Sequence, residues 1–227
     1  MALDLLYERC ASLRVRQSGS PFSKEKKMKI KHAIVAFTVL ALAAVVLLAK
    51  GPSVKKMSSY GYIGRSNGAT LIVDMDLARF RGDKKYIPIG IWLGYNESGV
   101  LKLNRGSFTL TDPAGKVHRL PSPKELTKGY GPTMISADYT YYSQIYDYGS
   151  MAFLSYHYIP GVAFFANTSG SPGILYDHVE LPMRTFFRSI VYFKNPAGKA
   201  DGTYTLTFKD SKGKVNMSIP FKITWSK

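Results

Sequence analysis

Histidine, carboxylate and cysteine side chains most often hold metals or move protons, and one small set of them falls together in this sequence: His157, Asp177, His178 and Glu180. Two imidazoles and a carboxylate are enough for a zinc site if a fold converges them. Their spacing matches no metal-binding motif, so a secreted or periplasmic enzyme or metal-binding protein using His157, Asp177 and His178 is the alternative reading. Nucleophilic chemistry is no better supplied. The chain has no Gly-x-Ser-x-Gly elbow, no His-Glu-x-x-His pair and no glycine loop for phosphate. Its one cysteine, Cys10, has only His32 as a histidine on its side of a long apolar run. No catalytic residue, metal or cofactor is expected, and the chain is not read as an enzyme.

Tyrosines form a second set. Tyr130, Tyr139, Tyr141, Tyr142, Tyr146, Tyr148, Tyr156 and Tyr158 crowd the middle of the chain. A tyrosine offers a flat apolar face and a hydroxyl, the combination used at protein and sugar interfaces. Tyr139, Tyr142, Tyr146 and Tyr148 are the candidate binding residues. The competing use of the same rings is to cap a core with their hydroxyls at the rim.

Charge supplies a third signal. From Gly51 onward there are 22 lysines and arginines against 12 aspartates and glutamates, an excess of about +10. Phospholipid headgroups, acidic glycans and acidic proteins are the natural neighbours of such a domain. Nucleic acid is not expected, since no recognition motif for it is present. Lys84, Lys85, Lys209, Lys212 and Lys214 lie near turns or strand ends, where lysine also keeps sheet edges soluble. Asn96, Asn167 and Asn216 open N-glycosylation triplets, which matter only in a host that glycosylates exported proteins.

These residues need a compartment, and Ala33 to Ala49 indicates one. The run AIVAFTVLALAAVVLLA carries no charge and is fenced by Lys24, Lys26, Lys27, Lys29 and Lys31 before it and Lys50, Lys55 and Lys56 after it. As a helix it is about 25 Å long, close to the roughly 30 Å hydrocarbon core of a bilayer. From Met28, itself a possible start, the sequence also reads as a signal peptide. The small-residue pair that cleavage needs is Ala49 and Gly51, which would leave Pro52 at the new N-terminus. An uncleaved anchor is therefore favoured. More basic residues precede the run than follow it, so the N-terminus is placed in the cytoplasm and Gly51 onward across the membrane. With Cys10 on the cytoplasmic side, the exported part cannot hold a disulfide.

The expected organisation is a cytoplasmic segment over 1–32, a membrane helix over 33–49, a linker over 50–66 and one extracytoplasmic domain over 67–227. Leu3, Leu6, Cys10 and Leu13 fall at helical spacing in the first segment, which otherwise reads as a disordered tail. From Ala69 onward the period becomes two. Ile87, Ile89, Ile91, Leu93 and Tyr95 alternate with Pro88, Gly90, Trp92 and Gly94, which predicts a strand with one face on a core. Phe108 to Thr111 and Lys116 to Leu120 flank Asp112, Pro113, Ala114 and Gly115, a hairpin signal. A near copy runs from Gly202 through Tyr204 and Leu206 to Asp210, Gly213 and Val215. Further strands are expected at Ala152–Tyr158, Val162–Asn167, His178–Leu181 and Thr185–Phe193.

The strings FTLTDPAGKV and YTLTFKDSKGKV resemble the hairpins of bacterial immunoglobulin-like envelope domains. That resemblance implies a mainly β fold, an immunoglobulin-like antiparallel β-sandwich. It names no function, because this architecture hosts adhesins, chaperones, receptors and spacers. One helical insertion interrupts the strands. Ser122, Pro123 and Glu125 form a helix start, and Ile135, Tyr139, Tyr142 and Tyr146 recur at helical spacing. The expectation is a single-pass membrane-anchored protein with a binding or structural role in the cell envelope. Its partners would be the membrane and another envelope protein, or an anionic glycan or lipid surface.

Overall fold

The computed structural model describes residues 53–144, 148–159, 164, 178–196 and 200–226. The apolar run over 33–49, Tyr146 and Asp177 lie outside the described residues, as does the strand expected over Val162–Asn167 apart from Phe164. Among the described residues no helix is long and apolar enough to cross a membrane. Gly51–Lys227 form a unit of their own, and it is mainly β, built from antiparallel sheets with few helices.

The stretch expected as a linker is sheet. β1 (Ser53–Lys56) and β2 (Gly61–Ser66) pair with each other, and β2 pairs with β3 (Ala69–Asp74). The link between β2 and β3 is Asn67-Gly68, with φ of 44° and 71°. Two successive left-handed residues make the turn whose twist matches a tight hairpin, and Asn-Gly is the dipeptide that adopts it most readily. β1 is exposed along its whole length and forms one edge of a six-stranded sheet. That sheet continues through β4 (Tyr86–Tyr95) and β10 (Thr185–Lys194) to β8 (His157–Tyr158). Only these last two residues of the strand expected over Ala152–Tyr158 are extended. The preceding residues are helix α3 (Tyr148–Met151) and a turn.

A four-stranded sheet is formed by the two hairpins recognised in the sequence, β6 (Phe108–Thr111) with β7 (Val117–Arg119) and β11 (Thr203–Lys209) with β12 (Asn216–Lys222). β6 and β11 pair antiparallel, and the register sets Leu110 opposite Leu206. In the repeated strings GSFTLT and GTYTLT these leucines occupy the same place. The two copies are therefore related by a local pseudo-two-fold axis through that pair. β11 is longer than its counterpart before the turn aspartate, and an even insertion leaves its inward side inward.

The two sheets stack on their apolar faces. A Cβ on Gly64 would stand 3.0 Å from Ile219, the Tyr62 ring meets Phe221, and Phe164 bridges Phe108 and Phe187. Every residue of β3 and β4 is buried, which one covered face cannot explain. The opposite face of β4 lies under α1 (Pro123–Tyr130), α2 (Pro132–Gln144) and α3. This corrects the expectation of a half-buried strand: helices, sheet and second sheet make three layers in this unit.

Past Tyr95, paired with Thr185, the β4–β10 ribbon breaks and resumes as β5 (Val100–Asn104) with β9 (His178–Pro182), where Val100 faces Pro182. Residues 96–99 on one side oppose only 183–184 on the other. The unequal lengths bend the ribbon, as a bulge does. Ser211 N–H donates to the Lys102 carbonyl, so β5 reaches the β11–β12 turn.

Candidate functional site

The tyrosine-bearing insertion starts where the sequence indicated. Ser122 Oγ accepts from Glu125 N–H at 3.2 Å, and the Glu125 carboxylate accepts from Ser122 N–H at 2.8 Å. This reciprocal cap satisfies orphan donors of the first helical turn. The helices then lie across β4, and glycine makes the fit possible. A Cβ on Gly90 would stand 2.5 Å from the Tyr142 ring, and one on Gly94 would overlap Phe153. Tyr142 also meets Trp92 at 5.2 Å between ring centroids. It is 5% exposed, a core residue and not the binding surface expected of it. Tyr139 is partly buried against the same core, and burial pushes its hydroxyl up to about 12. Tyr148 begins α3, while its side chain and Tyr146 lie outside the described residues.

The helices also enclose a charge. Asp138 on α2 is fully buried and accepts from Arg81 Nη2 at 2.8 Å and Nε at 3.0 Å, and from the Tyr130 hydroxyl at 2.7 Å. Burial raises the Asp138 carboxyl above the usual range even against these donors. The same burial, with Asp138 beside it, raises the Tyr130 hydroxyl. The arrangement ties α1, α2 and the segment before β4 together, since a buried charge stripped of its partner is strongly destabilising.

A second buried pair was not singled out from the sequence. His118 on β7 lies with Nε2 2.8 Å from Asp112 Oδ2, and Asp112 Oδ1 accepts from the N–H groups of Ala114 and Lys116. Burial alone would raise the Asp112 carboxyl. His118 and the two backbone donors outweigh it and hold the group below its ordinary value. The pair locks the turn of its hairpin. Its local signal was the Asp-Pro-Ala-Gly turn, but the histidine stands on the returning strand, where only pairing reveals it.

The alternative metal set is not gathered. His157 on β8 pairs with Thr185, just after the β9–β10 turn, while His178 opens β9 at its other end. Five residues of strand, at about 3.3 Å each, separate these positions by roughly 16 Å. Glu180 is engaged by Lys102 Nζ at 2.5 Å. Among the described residues no group of three or more histidine, cysteine, aspartate or glutamate side chains gathers as a metal site.

Two open concavities among the described residues lie elsewhere, on either side of the β11–β12 turn. One, of about 520 Å³, is lined by Asn67, Tyr95, Glu97, Ser98, Lys214 and Val215. The other, of about 300 Å³, is lined by Asn104, Gly106, Ser107, Lys209, Asp210 and Ser211. Buried Asp210 shapes the turn between them, accepting from Val215 N–H at 2.8 Å and Lys212 N–H at 3.2 Å. Asn67 Nδ2 donates to the Lys214 carbonyl at 2.6 Å, fastening the β2–β3 turn beside it. The locked turn leaves Lys209, Lys212 and Lys214 exposed. Chemically this is a cation-rich surface suited to anionic groups.

No family model and no curated protein matches the sequence. Among solved structures the chain is similar to the yjhA protein from Bacillus subtilis, at 12% sequence identity and a TM-score of 0.37, over 71% of this chain and 96% of that one.

Proposed function

We propose that this protein is a membrane-anchored, extracytoplasmic, immunoglobulin-like β-sandwich protein with a binding or structural role in the cell envelope. The observation that carries the reading is the uncharged run over 33–49, fenced by lysines and followed within four residues by the first strand of the domain. The excess of about +10 from Gly51 onward supports an anionic neighbourhood for that domain. The stacked antiparallel sheets and paired hairpins support the sandwich reading. Because Tyr142 is in the core, contact with partners falls to the loops at the ends of the strands.

The test is alkaline carbonate washing of membranes from cells expressing the full chain, followed by N-terminal sequencing. Full-length protein retained in the pellet is the expected result. A soluble product beginning between Lys50 and Ser59 overturns the anchor.

A further inference from the structure

Strand register determines which end of the domain the chain enters from. Ser53 pairs with Arg65, Arg65 with Thr70, Thr70 with Gly94, Gly94 with Phe186 and Phe186 with Tyr158. These six residues form one row across the six-stranded sheet, roughly 24 Å wide at about 4.8 Å per strand. β1 runs away from this row, so its first residue stands at the end that also carries the β2–β3, β4–β5 and β9–β10 connections. The hydrogen bond from Asn67 to Lys214 adds the β11–β12 turn to the same end. Three residues separate Lys50 from Ser53 at no more than about 3.6 Å each.

The surface chemistry of this end is distinctive. Lys102, Arg184, Lys209, Lys212 and Lys214 are exposed on or beside it, with Arg65 in the row itself. The exposed carboxylates near them are Glu97 and Glu180, and Glu180 is held below its usual range first by Lys102, then by His178 and Lys212. Large apolar side chains are exposed at this end as well. Met183 is 51% exposed in the β9–β10 turn, where Arg184 has a left-handed φ of 56°. Leu154 is 78% exposed, next to Phe153, whose ring stacks on Phe186. Tyr158, at the end of the row, is also exposed. Exposed basic residues together with protruding apolar and aromatic ones are the composition of surfaces that rest on anionic lipid.

We infer that this end of the domain docks on the anionic bilayer in which the chain is anchored, with the lysines of the β11–β12 turn on the headgroups and Met183 and Leu154 at the interface. The inference rests on the anchor reading and gives it an orientation. The opposite end, with Asp83 before β4, would stand about 30 Å further out, the length of the ten-residue strand β4.

The experiment uses the full chain carrying Cys10→Ser, with a single new cysteine at Met183, Lys212 or Asp83 labelled by an environment-sensitive fluorophore. The protein is placed in lipid nanodiscs of phosphatidylcholine alone or rich in phosphatidylglycerol, each containing lipid spin-labelled near the headgroup. Strong quenching at 183 and 212 but not at 83, requiring phosphatidylglycerol and lost in high salt, is the expected result. Charge reversal by Lys209→Glu, Lys212→Glu and Lys214→Glu should weaken docking by roughly a hundredfold or more. Equal quenching at all three positions in a chain that stays with the disc overturns the docking and leaves the anchor standing. A chain that does not stay with the disc overturns both.

Discussion

At Gly90 a missing side chain admits a ring. Tyr142 occupies the space a Cβ would need, which makes the two positions one packing unit. Tyr142→Ala is expected to cost about 3–5 kcal/mol of folding stability in urea titrations, the range for emptying an aromatic core site. Gly90→Ala should cost about 1–3 kcal/mol by overpacking, and the double variant should cost less than the sum. A Tyr142→Ala protein of unchanged stability would return that residue to the surface. Asp112 makes a different kind of prediction. Its carboxyl is held low in the folded state, so its stabilisation is present above the ordinary carboxylate range and drains away as pH falls through the folded value. Asp112→Asn should be less stable by about 1–3 kcal/mol at neutral pH, and the gap to the parent protein should narrow as pH falls below the ordinary carboxylate range. Asp138, raised by burial, contributes with the opposite sign, losing stability as pH rises through its folded value.

Among the elements, those with a local signal were legible. The Asp-Pro-Ala-Gly and Asp-Ser-Lys-Gly turns announced both hairpins, and Ser122 with Glu125 announced α1. Asn67-Gly68 is an equally strong local signal, and β1 and β2 are sheet where a linker is expected. Gly68→Ala should lower the melting temperature by the equivalent of about 1 kcal/mol or more, since φ of 71° is unfavourable for alanine. A Cβ there would also overlap Glu97, so adding Glu97→Ala should recover the steric part and leave the backbone part. The layer above β4 was less visible for a physical reason. Small residues at alternate positions look the same whether they face water or the flat side of an aromatic ring. The alternation puts Gly90 and Gly94 on the open face of a strand, and Tyr142 and Phe153 lie on them instead.

For the whole molecule, the candidate site was legible only in its parts. The lysines of the β11–β12 turn could be counted in the sequence, but their gathering with Lys102 and Arg184 depends on the bend where residues 96–99 oppose 183–184. Pairings so far apart along the chain leave no periodic trace. The histidines erred the other way: His157 and His178 looked like neighbours, and β9 holds them apart.

The exposed strand β1 has a further consequence if the chain is anchored as proposed. Proteins confined to a membrane meet at high effective concentration and in nearly the same orientation, conditions that favour pairing of like edges. An open row of amide and carbonyl groups at a constant height above the lipid would be a template for linear assembly. Lys55 and Lys56 sit exposed on that edge, and the other edge, β8, extends only two residues. On that arrangement, like charges on one side and so short a strand on the other would disfavour pairing of neighbouring copies.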